Sequence, residues 1–217
     1  MYFLPVSLAL FLLFLVLIPV LFFLLPGMAF SKLGLNPVLG YAFFFLCLVG
    51  GGVNYPVFRE RRPVAMQQDE FALMMRQFFG VRIPVHSERI IAINLGGAIL
   101  PTLLSLYLLT RVPIGTALLA TALMSAAAYF LSKPVKGVGV MMPAFVPPFI
   151  AAVIALLLSR DHAPQIAYIS GAMGTLIGAD IIRLPQIKKL EAPFMSIGGA
   201  GVFDGIFLVG LVSVLLA

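Results

Sequence analysis

The chain has 217 residues, 62% hydrophobic and only 10% charged, with a formal net charge of +6 and one cysteine. Soluble domains carry roughly 25% charged residues, so this composition, with mean hydropathy +1.12, excludes a soluble domain of useful size and predicts an all-α, polytopic membrane helix bundle. The basic residues are scattered over short loops and give no sign of a nucleic-acid surface, and the lone Cys47 excludes an internal disulfide framework and a multi-cysteine metal site.

Tyr2 to Leu25 is an apolar run long enough to cross ~30 Å of hydrocarbon. Its start has no basic side chain and it exceeds a secretory h-region of about 7–15 residues, so it reads as the first helix, kinked at Pro19 and ended by Pro26-Gly27. Asn36-Pro37 is a helix start, a capping residue followed by proline at the first position. The second helix runs to about Val53 and closes in Gly50-Gly51-Gly52.

Phe58 to Arg89 is the one extended polar stretch, read as a cytoplasmic loop within a single transmembrane domain spanning residues 1–217. Inside it Phe71, Met74, Met75, Phe78 and Phe79 fall at helical spacing, which predicts an amphipathic helix preceded by Asp69 and Glu70 and ended by Gly80. Such a helix either gates and guides substrate or lies flat among the headgroups. Val81 to Val85 alternates as an extended segment would, and His86 reads as a solvated loop residue.

Ile90 to Leu109 reads as the third helix, with Asn94, Gly96, Gly97 and Pro101 inside it, and the alanine-rich run Pro113 to Ser132 as the fourth. Asn94 is polar at membrane depth and is expected to face protein or a cavity. Lys133 to Pro148 is irregular and proline-rich. It is either a broken, re-entrant segment beside a cavity or a loop feeding a short fifth helix from about Pro148 to Ser159. Pro164 to Ile182 gives the sixth helix and about Met195 to Ala217 the seventh. Loops after helices two, four and six hold eleven of the fourteen basic residues; the others hold Lys32, Arg111 and Arg160. The positive-inside rule then puts the N-terminus inside and the C-terminus outside.

Of eight acidic residues, only Asp180 and Asp204 fall within segments read as membrane-buried. An ionisable group there costs on the order of 3 kcal/mol or more and is a functional hypothesis by default. Depth decides whether the two can meet. A helix begun at Met195 puts Asp204 roughly 14 Å from its inner end, against about 3–5 Å for Asp180. The gap closes if Ser196 to Gly201 is unwound, which its small residues permit. Asp204 then lies in a first helical turn, where the dipole favours its ionised form. Ser170, Gly174 and Gly178 form a small-residue stripe for close helix packing, and Asp180 lies about 160° away from it.

Two carboxylates in contact share a proton, so one can activate water while the other protonates a carbonyl or leaving group. That is the chemistry of an intramembrane hydrolase acting on a helix-bound peptide or a lipid-linked ester. Asn94, Gly178, Gly199, Gly201, Pro143 and Pro147 are the residues expected around the pair. The same aspartates also suit a proton or sodium relay in a transporter or channel, or a structural role paired with Asn94 or a tyrosine. A metal site is poorly supplied, since His86 and His162 lie far off in loops, and no cofactor motif is present. The partners expected are the lipid bilayer and a transmembrane peptide or small ion.

The segments INLGGAILP, GTLIGAD and GGAGVFDGIFL resemble a prokaryotic multi-pass membrane family known as domain of unknown function sixteen-fourteen, over about the C-terminal 130 residues. That resemblance implies no activity. A weaker similarity links the chain to the presenilin and signal-peptide-peptidase group, where one aspartate lies on a helix running inward and a second follows glycines on the helix returning outward. Asp180 and Asp204 match that order. The group's tyrosine-aspartate pair is Ala179-Asp180 here, and its Gly-x-Gly-Asp motif is Ala200-Gly201-Val202-Phe203-Asp204. No Pro-Ala-Leu follows, although Pro143-Ala144-Phe145 lies upstream. The similarity implies Asp180 and Asp204 as the catalytic pair.

Overall fold

A computed structural model describes residues 6–63, 86–135, 139–188, 194–199 and 205–217. Helix α1 spans Val6–Lys32 and α2 spans Pro37–Gly50; α2 starts as the sequence predicts, with the Asn36 side chain accepting from the Val38 N–H at 2.9 Å. Strands β1 (Asn54–Pro63) and β2 (His86–Asn94) follow, then a π-helical turn at Leu95–Ile99 that runs into α3 (Leu100–Leu109). Helix α4 (Ile114–Leu131) leads to a hairpin of β3 (Lys133–Val135) and β4 (Gly139–Met141), and then to α5 (Val146–Leu158). Helix α6 (Ala163–Thr175) passes into a second π-turn, Leu176–Ile181, followed by α7 (Leu184–Lys188), β5 (Phe194–Ile197) and α8 (Gly205–Leu216).

The molecule is mostly helical, as expected, but it is not all-α. Strands β1, β2 and β5 form one sheet in that order, antiparallel between β1 and β2 and parallel between β2 and β5. Two runs read as single helices each divide into a strand and a shorter helix. Ile90, Ile91 and Ile93 pair with Phe194, Met195 and Ile197 of β5 instead of continuing a third helix, and the seventh helix begins at Gly205. β-branched side chains suit a pleated surface at least as well as a helix, and the pairing is long-range, so neither run discloses it alone.

Seven transmembrane helices are not what the structure supports. Among the described residues two helices are long and apolar enough to cross a membrane, Ile114–Leu131 and Ala163–Lys188. A third arises if Phe11–Leu17 and Phe22–Lys32, bent by 40° around Pro19, form one span. Pro26 does not end that helix, which continues to Lys32. The other apolar helices have 10–17 residues, fewer than the ~20 that a span needs. The amphipathic helix expected at Phe71–Phe79 lies outside the described residues, while the flanks of its polar stretch are β1 and β2.

Helix α6 is the hub. It packs on α3, α4, α5 and α8, and its residues from Ile166 to Ala172 are buried. That environment explains its small residues. A Cβ on Gly174 would lie 2.6 Å from the Met124 Cβ, and one on Gly171 would lie 2.9 Å from the Ser213 Oγ. Charged side chains are held at the ends. At one end Lys32 Nζ donates to the Leu215 carbonyl at 3.0 Å, closing the C-terminus of α8. At the other, Arg183 Nε donates to Ser132 Oγ at 2.7 Å, with its guanidinium 4.3 Å from the Tyr129 ring centroid. Large apolar side chains face outward along the helices, among them Leu118 and Phe130 on α4 and Phe149 and Leu157 on α5.

Candidate functional site

Asp180 sits on the π-turn that ends α6, half-buried. Its Oδ2 accepts the Gly198 backbone N–H at 2.7 Å. That donor is aimed by an unusual piece of chain. Strand β5 stops at Ile197, and Gly198 and Gly199 take φ of +89° and +92°, a region that side chains disfavour. A Cβ on Gly198 would lie 2.6 Å from the Ala98 Cβ and 2.7 Å from the Ala98 nitrogen. The glycine turn is therefore wedged against the first π-turn, and its amide points at the second.

A cavity of about 250 Å³ opens beside Asp180. Val140, Met142, Pro143 and Ala144 form one wall, Thr175 and Ala179 lie on the helix of Asp180, and Gly199, Gly205, Ile206, Leu208 and Val209 close the rest. Of segment 133–148, Val140 and Met142–Ala144 line the cavity, and the chain then runs into the short helix α5, which begins at Val146.

The expected site residues divide. Asp180, Gly199 and Pro143 meet at the cavity. Asn94 does not; it is 1% exposed and its hydrogen-bonding capacity is used on the scaffold. Its Nδ2 donates to the Gly51 carbonyl at 2.7 Å and to Asn54 Oδ1 at 3.1 Å, and its Oδ1 accepts the Gly97 N–H at 2.8 Å, capping the first π-turn. Ser196 Oγ donates to the same Asn54 oxygen at 2.5 Å, so β1, β2 and β5 share one polar knot. Gly178 is a packing residue, since a Cβ there would collide with the Ser125 carbonyl of α4 and lie 2.9 Å from the Ala128 Cβ. The stripe faces α4 while Asp180 faces the cavity. Pro147 is buried in the first turn of α5 and is not part of the cavity wall. Asp204 and Gly201 lie outside the described residues. The unwinding expected at Ser196–Gly201 is present through Gly199, as strand followed by a positive-φ turn.

Sequence reasoning missed Thr175. It is 1% exposed, lines the cavity, and its hydroxyl has no partner among the described residues. It lies five positions before Asp180, so a regular helix would put the two about 140° apart. Nothing in the sequence announces the π-turn that changes this. Among the described residues no three His, Cys, Asp or Glu side chains converge on a metal-sized site. The described lining of the cavity holds one carboxylate, Asp180, and one threonine, Thr175, in an otherwise apolar wall. Such a site is suited to proton transfer or to holding a small polar group out of bulk water.

No curated protein and no solved structure matches the chain at a significant level. The likeness to presenilin-type proteases thus gains no support from those comparisons. A family model described as Protein of unknown function (DUF1614) matches residues 48–216, which spans the sheet, both π-turns and the whole cavity wall, so the chain belongs to that family.

Proposed function

We propose that this chain is a multi-pass membrane protein in which Asp180 and Asp204 form a di-aspartyl hydrolytic site. The observation that carries this reading is the position of Gly199 and Gly205. They flank the segment that holds Asp204, and both line the cavity beside Asp180. Asp204 immediately precedes the wall residue Gly205 in the sequence. In the reaction one carboxylate takes a proton from water as the water oxygen adds to the carbonyl carbon, and the protonated partner gives its proton to the carbonyl oxygen. The tetrahedral intermediate then collapses with the C–N or C–O bond breaking, the leaving group taking the proton drawn from water and the carbonyl proton returning to the pair. The volume of about 250 Å³ is below the ~300–1,000 Å³ of most ligand pockets. It suits a single ester or peptide unit presented from a membrane-embedded substrate.

Membrane residence is supported by the outward apolar side chains and by charged side chains held at the two ends. The end carrying Arg59, Arg61, Arg62, Lys133, Arg183 and Lys188 is then cytoplasmic, with the N-terminus inside and the C-terminus outside. Purified protein in lipid nanodiscs, offered transmembrane peptides and lipid-linked esters, is expected to cleave them, with turnover abolished in both D180N and D204N. Wild-type turnover in either variant overturns the pair mechanism.

A second reading is ion-coupled transport. It is favoured by the break from α-helix to π-turn at the carboxylate, since interrupted helices line ion sites in transporters. Proton- or sodium-dependent flux in vesicles, lost in D180N without any hydrolysis by wild type, would select it.

A further inference from the structure

Several helical hydroxyls in this bundle bond to nearby carbonyls. Thr121 Oγ1 donates to the Ala117 carbonyl at 2.8 Å, Ser125 Oγ to Thr121 at 2.7 Å, and Ser213 Oγ to Ala167 at 2.9 Å. Thr175 departs from that habit. Its hydroxyl is buried and takes no carbonyl, although it sits at a helical position like the others. Ser105 Oγ, Gln165 Oε1 and Tyr168 Oη are also unpartnered, but of the four only Thr175 lines the Asp180 cavity. A buried hydroxyl left unpaired is destabilising, so its partner is to be sought inside that cavity.

The backbone supplies the second observation. The π-turn carries the chain from Thr175 to Ile182, and the Ile182 N–H bonds to the Ile177 carbonyl at 2.9 Å, an i→i+5 closure. A π-turn winds more slowly than an α-helix, so residues five apart come much nearer to one face than the about 140° at which an α-helix would hold them. The extra residue therefore brings Asp180 round to the wall occupied by Thr175, and both line the cavity.

We infer that the Thr175 hydroxyl and the Asp180 carboxylate hold one water molecule between them, and that the π-turn is the device that sets their spacing. Oδ2 is engaged by Gly198, which leaves Oδ1 to accept from the water, while the water accepts from Thr175. The Thr175 oxygen is closed off as placed; a helical threonine has two open χ1 states, and the proposed arrangement uses the one that turns the hydroxyl toward the cavity. Thr175 is a positioning residue in this arrangement. The inference rests on the hydrolytic reading only for the use made of the water, and its test needs no turnover.

Infrared difference spectra of wild type against D180N, in nanodiscs, isolate the Asp180 carboxyl band. In T175V, which removes the hydroxyl at nearly constant volume, the band moves to higher frequency because the carboxyl loses a donor. T175S, which keeps the hydroxyl, leaves the band at the wild-type position. T175A serves as the second deletion where T175V fails to insert. An unmoved band in the deletion variant overturns the inference. So does an equal move in T175S, because the cause would then be packing. If T175V moves the band while D180N retains wild-type hydrolysis, the water site stands and the hydrolytic reading falls.

Discussion

Replacing Gly198 by alanine tests the platform that holds Asp180. The residue has φ +89°, and an added Cβ would sit 2.6 Å from the Ala98 Cβ and 2.7 Å from the Ala98 backbone nitrogen. The left-handed backbone costs a side chain about 1–2 kcal/mol. Forcing a methyl into the contact costs about 1–3 kcal/mol more, because the neighbours are a backbone atom and a Cβ that cannot swing aside. The expected loss is therefore about 2–5 kcal/mol, measured by reversible unfolding in mixed micelles. Gly115 supplies the control. It lies near the start of α4 with nothing within 4 Å of an added Cβ, so G115A is expected to be neutral or stabilising by up to about 1 kcal/mol. G198A should also disturb the amide that bonds Asp180, so any cleavage or flux should fall further than in a distant variant of equal stability. A G198A protein within about 1 kcal/mol of wild type would refute the wedged turn.

Two further substitutions separate scaffold from site. Gly178→Leu drives a side chain into the Ser125 carbonyl and the Ala128 methyl, so α4 and the π-turn must part; a loss of at least about 1–3 kcal/mol is expected by the same unfolding assay. Asn94→Ala strands the Gly51 carbonyl and the Gly97 N–H, at about 1–3 kcal/mol for each buried group. Asn94→Ala should therefore lower thermal stability while leaving per-molecule activity of the folded fraction near wild type, because Asn94 is not in the cavity wall.

Much of the helical framework is legible in the sequence. The Asn36-Pro37 start, the kink at Pro19 and the limits of α4 follow from local chemistry, namely a capping side chain, a missing amide and an alanine-rich apolar run. The sheet is not legible. Ile90–Ile93 and Phe194–Ile197 satisfy each other's hydrogen bonds across some hundred residues, and an apolar β-branched run reads equally well as helix. The glycines of SIGGAG point to unwinding, and depth arithmetic makes that unwinding necessary for the two acids to meet; the strand and turn through Gly199 match it. Asn94 was visible as a polar group needing partners, but the sequence does not say whether those partners are scaffold or cavity. Thr175 stayed hidden because its relation to Asp180 depends on one extra residue per turn, which no side-chain pattern encodes.

Gly199 and Gly205, which flank the segment carrying Asp204 in sequence, line the cavity of Asp180, and the proposed mechanism requires the two carboxyl groups to share that space. The most direct measurement is their separation in an electron cryo-microscopy map of the protein in lipid nanodiscs. The account predicts the two carboxyls facing one cavity within about 8 Å, close enough to share a proton directly or through one water. Carboxyls farther apart than that, with Asp204 turned away from the cavity to cap α8 alone, would contradict it.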